Sequence, residues 1–224
     1  MIRCTRSRYA RTLATLAPGC DDDRAVLTIA AVPGLHQRHN RPVTSRRDPL
    51  ETLAGLDLTY REVDATAAGL PGGYSHVEVE GELGQGRLTY QRAVEALLTW
   101  QMHEHAGLSP LTDTARVTLG SHVVQRIGVG RFRFGAPCRV VAVVNEPDRG
   151  GFAYGSLPGH PVSGEERFVV LLDPGDRVRL QVRAFSRPAT WYARLGGPLL
   201  PPAQRLAARR YVRALRRASA ATPT

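Results

Sequence analysis

The chain has 224 residues, 42% hydrophobic and 22% charged, with a formal charge of +10, which suits one or two globular domains and excludes a wholly disordered chain. All thirty cationic side chains are arginine, so lysine Schiff-base and lysine-amine chemistry is excluded, and three scattered cysteines exclude a disulfide framework or a zinc site. The charge is uneven: residues 1–50 hold nine arginines against four acids, 51–186 thirteen against sixteen, and 187–224 eight against none.

Residues 1–50 show neither helical nor strand periodicity, and the segment nearest to a signal h-region, Thr12–Ala17, is too short for one and runs into Pro18. Residues 1–54 are therefore expected to be a disordered or mis-started extension. Residues 55–218 are expected to form a single α+β domain, and 219–224 a disordered tail. No apolar run approaches the roughly 18 residues of a membrane span. Sparse cysteine use suggests a reducing, cytoplasmic setting.

Leu58–Val63 reads as a strand or the start of a helix, and Leu70-Pro-Gly-Gly73 as a turn. Tyr74–Leu83 alternates as a half-exposed strand does. Gly84-Gln-Gly86 ends it, without the third glycine or the Lys-Ser/Thr pair of a phosphate loop. A helix is predicted over Leu88–Ala106, burying Tyr90, Val94, Leu97, Leu98 and Met102, with Gly107 as its stop. His103 and His105 are two apart and point in opposite directions on such a helix, so no metal site is expected and both are read as solvated. No cofactor is implied.

From Arg116 the pattern is strand after strand: Arg116–Leu119, His122–Val129, Arg131–Phe134, Cys138–Val144, Gly151–Leu157, Glu165–Leu172 and Arg177–Phe185. Short Gly, Pro and Asp turns make this an antiparallel meander. Ser186–Trp191 is read as opening a helix, with Pro188 in its first turn. A longer helix spans Ala203–Ala218. Ala208, Val212, Leu215 and Tyr211 face the sheet, and Arg205, Arg209 and Arg213 stack on another side. Arg216 and Arg217 lie near its C-terminus, where the helix dipole favours cations.

The hairpin GFAYGSLPGHPVSGEERFVVLL carries the candidate site. With Leu157 set opposite Glu165, period two places Phe152, Tyr154, Ser156, Glu166, Phe168 and Val170 on one face. An ionised glutamate needs a partner or a raised pKa on an apolar wall, so Glu166 is expected to pair with Tyr154 or Arg183. Glu165 points the other way, toward solvent or the neighbours of Arg167. His160 sits in the connecting loop at the mouth of any pocket. Arg183 and Arg187, at the end of the last strand, are candidates for gripping an anionic head group.

GFAYGSLPGHPVSGEERF and VRAFSRPATWYARLGGPL, with the upstream pieces LTYREV, LPGGY, TWQMHEHAGL and APCRVVAVVNEPDRGGFAYG in the same order, resemble the uncharacterised protein family UPF0548 over about Leu58–Leu215. That resemblance implies no catalytic roles. The order of elements also resembles the START-like or Bet v 1-like helix-grip superfamily, in which a curved antiparallel sheet wraps a long C-terminal helix around an apolar cavity. The fold expected is thus α+β and helix-grip-like. The function expected is binding of a hydrophobic or amphipathic small molecule, with Tyr154, Ser156, His160, Glu166, Phe168, Arg183 and Arg187 as candidate ligand contacts. Two alternatives stay open: non-specific contact with nucleic acid or an anionic membrane through Arg205, Arg209, Arg213, Arg216 and Arg217, and an enzyme using the same pocket, its catalytic residues unknown.

Overall fold

A computed structural model of the chain describes residues 50–129, 132–191, 193 and 200–220, with the side chains of 127–133 and 200–201 excepted. The expectations for residues 1–49 and 221–224 lie outside the described residues. Seven strands form one sheet: β1 (Ser75–Gln85), β2 (Ser109–Thr112), β3 (His122–Val129), β4 (Phe132–Glu146), β5 (Arg149–Ser156), β6 (Val162–Leu172) and β7 (Arg177–Pro188). Their order is β1-β7-β6-β5-β4-β3-β2, and every neighbouring pair is antiparallel. The meander β2 to β7 thus runs in sequence order, and β1 closes onto its last strand. Helices α1 (Arg87–Leu98), α2 (Gln101–His105) and α3 (Leu200–Ala220) complete the fold. Seven antiparallel strands packed on a long C-terminal helix make the helix-grip-like α+β arrangement that the sequence suggests.

The inner face of the sheet holds the main core. Phe152, Phe168, Leu180, Leu97, Met102 and Leu215 are all fully buried there. Burying side chains of this size contributes about 1.5–3 kcal/mol each. α3 turns Ala208, Tyr211, Val212 and Leu215 inward, as its periodicity predicts. It lies close to β1 because that strand presents Gly81: a Cβ there would stand 2.2 Å from Cγ1 of Val212.

Several expected elements differ. The helix expected over Leu88–Ala106 breaks after Leu98, because Trp100 adopts a left-handed conformation (φ 65°) and α2 restarts at Gln101. Arg116–Leu119 is not a strand; the extra strand is β2, paired with β3. Residues 132–146 form one strand rather than two, with a register shift between Val140 and Ala142. β7 continues through Pro188 where a helix start was expected, since Pro188 pairs with Val162 at the end of the ladder. Leu50 and Leu53 are buried with Leu157, so the packed domain takes in residues ahead of the expected boundary at 55.

Leu58–Val63 is neither strand nor helix. Residues 59–67 cross the outer face of the hairpin, and Gly155 leaves room for Tyr60, whose hydroxyl would lie 2.2 Å from a Cβ there. Glu165, read as meeting solvent, is 3% exposed beneath this strap. Its carboxylate accepts from Tyr60 Oη at 2.8 Å, Asp64 N–H at 2.7 Å, Thr66 N–H at 3.2 Å and the Thr66 hydroxyl. Arg167, buried beside it, pairs with Asp64 and donates to Thr66 Oγ1 at 3.1 Å. A segment 100 residues away in sequence supplies these partners, so no local pattern announces them.

Candidate ligand cavity

Between the inner face of the sheet and α3 lies a cavity of about 630 Å³, within the range that suits a small-molecule ligand. Val77, Ala184, Ala136 and Cys138 line the sheet side; Ala203, Ala207 and Tyr211 line the helix side. The size of the space follows from sequence: small residues stand at facing positions where large ones would fill the core.

The wall carries a carboxyl–phenol pair. Tyr154 and Glu166 sit directly opposite each other on β5 and β6, and Tyr154 Oη donates to Glu166 Oε2 at 2.9 Å. Burial penalises the charged carboxylate more than this bond favours it, so the Glu166 pKa is raised from its ordinary value to about 7. Near neutral pH the group therefore exchanges between a hydrogen-bond acceptor and a donor. Burial and the nearby Glu166 charge push the Tyr154 and Tyr211 hydroxyls well above their usual range, keeping both as neutral phenols. The observed register places Gly155, not Leu157, opposite Glu165. A slip of two residues preserves side-chain parity, so the face is the one anticipated.

Ser156 lines the cavity, but its Oγ is engaged by Gly164 N–H at 2.9 Å, the Gly164 carbonyl at 3.1 Å and Thr59 Oγ1 at 2.6 Å. His160 also lines it; Nδ1 lies 3.1 Å from the Val162 nitrogen and 2.8 Å from its carbonyl oxygen. Desolvation lowers the His160 pKa to about 4, so the ring is neutral at pH 7. Phe168 is fully buried and packs edge-on to Tyr154 and Tyr211, with centroids 5.5 and 5.3 Å away.

Arg183 and Arg187 do not join this group. On β7 it is Ala184, Phe185 and Ser186 that line the cavity, and neither arginine borders it; Arg183 pairs across the ladder with Arg167, on the strap side of the sheet. Arg183 bonds Glu78 at 3.2 Å and the Thr66 carbonyl at 2.9 Å, and the Arg187 guanidinium sits 5.1 Å from the Tyr74 ring centre. Glu166 consequently has Tyr154 as its partner and not Arg183.

The sequence profile described as "Domain of unknown function (DUF1990)" matches residues 59–214. The chain belongs to this family. A UPF0548 protein of Deinococcus radiodurans is 40% identical over 147 residues, covering 61% of this chain and 74% of the relative. A UPF0548 protein of Arabidopsis thaliana is 27% identical over 188 residues, covering 75% and 90%. Among solved structures, a hypothetical protein of Helicobacter pylori aligns with a TM-score of 0.53 at 13% identity, covering 73% of this chain and 96% of that one, a likeness of fold.

The matched DUF1990 segment takes in every cavity-lining residue, from Val77 to Tyr211. It also contains two polar side chains that the sequence reading placed wrongly or passed over. His103 is fully buried, where a solvated histidine was expected, because the break at Trp100 rotates α2 inward. It packs 5.4 Å from the Phe168 and Tyr211 rings, and burial lowers its pKa to about 3. Neither ring nitrogen has a partner among the described residues. Gln125 of β3 lines the cavity and is 3% exposed. Alternation alone would have placed Gln125 on the same face as Val123, but nothing local shows that this face is a cavity wall. Among the described residues no helix is long and apolar enough to cross a membrane, and no three His, Cys, Asp or Glu side chains group to hold a metal ion.

Proposed function

We propose that this DUF1990 domain binds a hydrophobic or amphipathic small molecule between its sheet and α3. The observation that carries the reading is the buried Tyr154–Glu166 pair on the wall of a largely apolar cavity of about 630 Å³. A carboxyl there is costly to the fold unless something uses it, and a ligand hydroxyl, carbonyl or amine is such a use. Tyr154, Glu166 and Tyr211 are the polar contacts of this reading, and His160 and Arg210 border the same space. Ser156 and Phe168 serve the wall itself, one through its hydrogen bonds and the other through packing.

The test is uptake of 8-anilinonaphthalene-1-sulfonate by purified protein, alongside native mass spectrometry for a co-purifying molecule. Ala207→Trp, placed on the helix side of the cavity, fills part of the space. Saturable uptake by the natural protein, lost in a folded Ala207→Trp variant, is the expected result. Equal uptake by both would put the dye elsewhere and overturn the reading.

A second reading has its own support. Arg205, Arg209, Arg213, Arg216 and Arg217 are all exposed on α3, which carries no acid. This is a face suited to non-specific contact with a polyanion such as an anionic membrane surface or nucleic acid.

A further inference from the structure

The antiparallel register rules the inner face of the sheet into rows. One row reads Ala184, Glu166, Tyr154 and Val140 across β7, β6, β5 and β4. Four residues away along β4, Ala136 pairs with Gln125 of β3. At 3.2–3.4 Å per residue, that places the Gln125 row roughly 13 Å from the Tyr154–Glu166 row along the strand direction. Ala184, Glu166 and Tyr154 of the one row and Ala136 and Gln125 of the other line one cavity.

Gln125 is 3% exposed, yet neither its Oε1 nor its Nε2 has a hydrogen-bond partner among the described residues. The surfaces around it on the cavity wall, from Ala136, Cys138 and Leu108, offer no side-chain amide, carboxylate or hydroxyl. A buried amide with neither half satisfied is unfavourable, and leucine or methionine would occupy the position without that cost. Gln204 differs in that one half of its amide is satisfied: Nε2 donates to Ser186 Oγ at 2.8 Å, while its Oε1 has no partner among the described residues.

We propose that Gln125 is a specificity-determining residue: it holds a ligand group that both donates and accepts, such as a primary carboxamide, lactam or carboxylic acid, while the ligand's apolar body runs toward Tyr154 and Glu166. This rests on the ligand-binding reading above and narrows it to elongated amphipaths with such a polar end. An ester or tertiary amide, which only accepts, leaves the Gln125 carbonyl unpaired and is discriminated against.

The probes are decanamide and N,N-dimethyldecanamide, which share a chain but differ in donor capacity, each displacing the anilinonaphthalene dye. The natural protein should bind decanamide roughly tenfold more tightly, the worth of one well-formed hydrogen bond. Gln125→Met should abolish that preference and melt no lower than the natural protein; Gln125→Leu serves as the second variant. An undiminished preference in both variants, or none in the natural protein, overturns the role of Gln125 while the cavity reading stands. Failure of dye and both probes to bind the natural protein overturns the cavity reading and this inference together.

Discussion

Glu165 and Glu166 are adjacent in sequence and opposite in physical situation. Glu166 gains one hydrogen bond and loses its hydration, so its folded pKa, about 7, lies above the ordinary 4.5. Stability from such a group is fully present below the unfolded pKa and is lost as pH rises through the folded one. Glu166→Gln removes the charge and keeps an acceptor for Tyr154. The variant should therefore match the natural protein near pH 4.5 and exceed it progressively up to about pH 7, by at most about 3 kcal/mol. Glu165 differs in its contacts, since four donors converge on its carboxylate. Glu165→Gln should cost about 2 kcal/mol or more at neutral pH, because an amide nitrogen must then face donors. Melting temperature against pH for the two variants checks both signs, at about 2–4 °C per kcal/mol. Loss of stability by Glu166→Gln at pH 8 would make that carboxylate a structural support.

The contact of α3 with β1 depends on a missing side chain. Val212 occupies the space over Gly81, whose Cβ would come within 2.2 and 2.8 Å of its two methyl carbons. Gly81→Ala should cost about 1–3 kcal/mol through overpacking, even though alanine suits a strand no worse than glycine. A thermal melt checks this, and Gly81→Ala combined with Val212→Ala should recover part of the loss; an unrecovered loss would place the strain elsewhere. Such a contact shows where sequence stops being informative. The faces of α3 and of the β5–β6 hairpin were legible because periods of 3.6 and two depend only on neighbours in the chain. The inward turn of His103 was not, since the helix break is a left-handed Trp100, a conformation the residue type does not favour. Burial of Glu165 was equally hidden, because its cover comes from residues 59–67. The cavity at Gln125 depends on which strands neighbour one another, and a polar residue in an alternating strand carries no mark of that.

On the scale of the whole molecule, α3 carries two unlike surfaces. Gln204, Ala207 and Tyr211 line the cavity, while Arg205, Arg209 and Arg213 follow at intervals of four along an exposed side. Arginines stacked in this way repel by roughly 0.2–0.5 kcal/mol per pair in an isolated helix, so α3 is held by its buried side and not by these charges. Replacing all three by glutamine should leave the melting temperature within about 2 °C, as surface substitutions usually change little. Retention on anionic phospholipid vesicles or duplex DNA should weaken in the same variant. For the natural protein, that retention should fall steeply between 50 and 200 mM salt, with little dependence on base sequence, as expected for a contact made by charge alone. Uptake of the anilinonaphthalene dye should be unchanged, because none of the three arginines lines the cavity. Retention that resists salt and survives the triple substitution would assign polyanion contact to another surface. Loss of dye uptake in the same variant would mean that the exposed and buried sides of α3 act together, with the charged side governing access to the cavity.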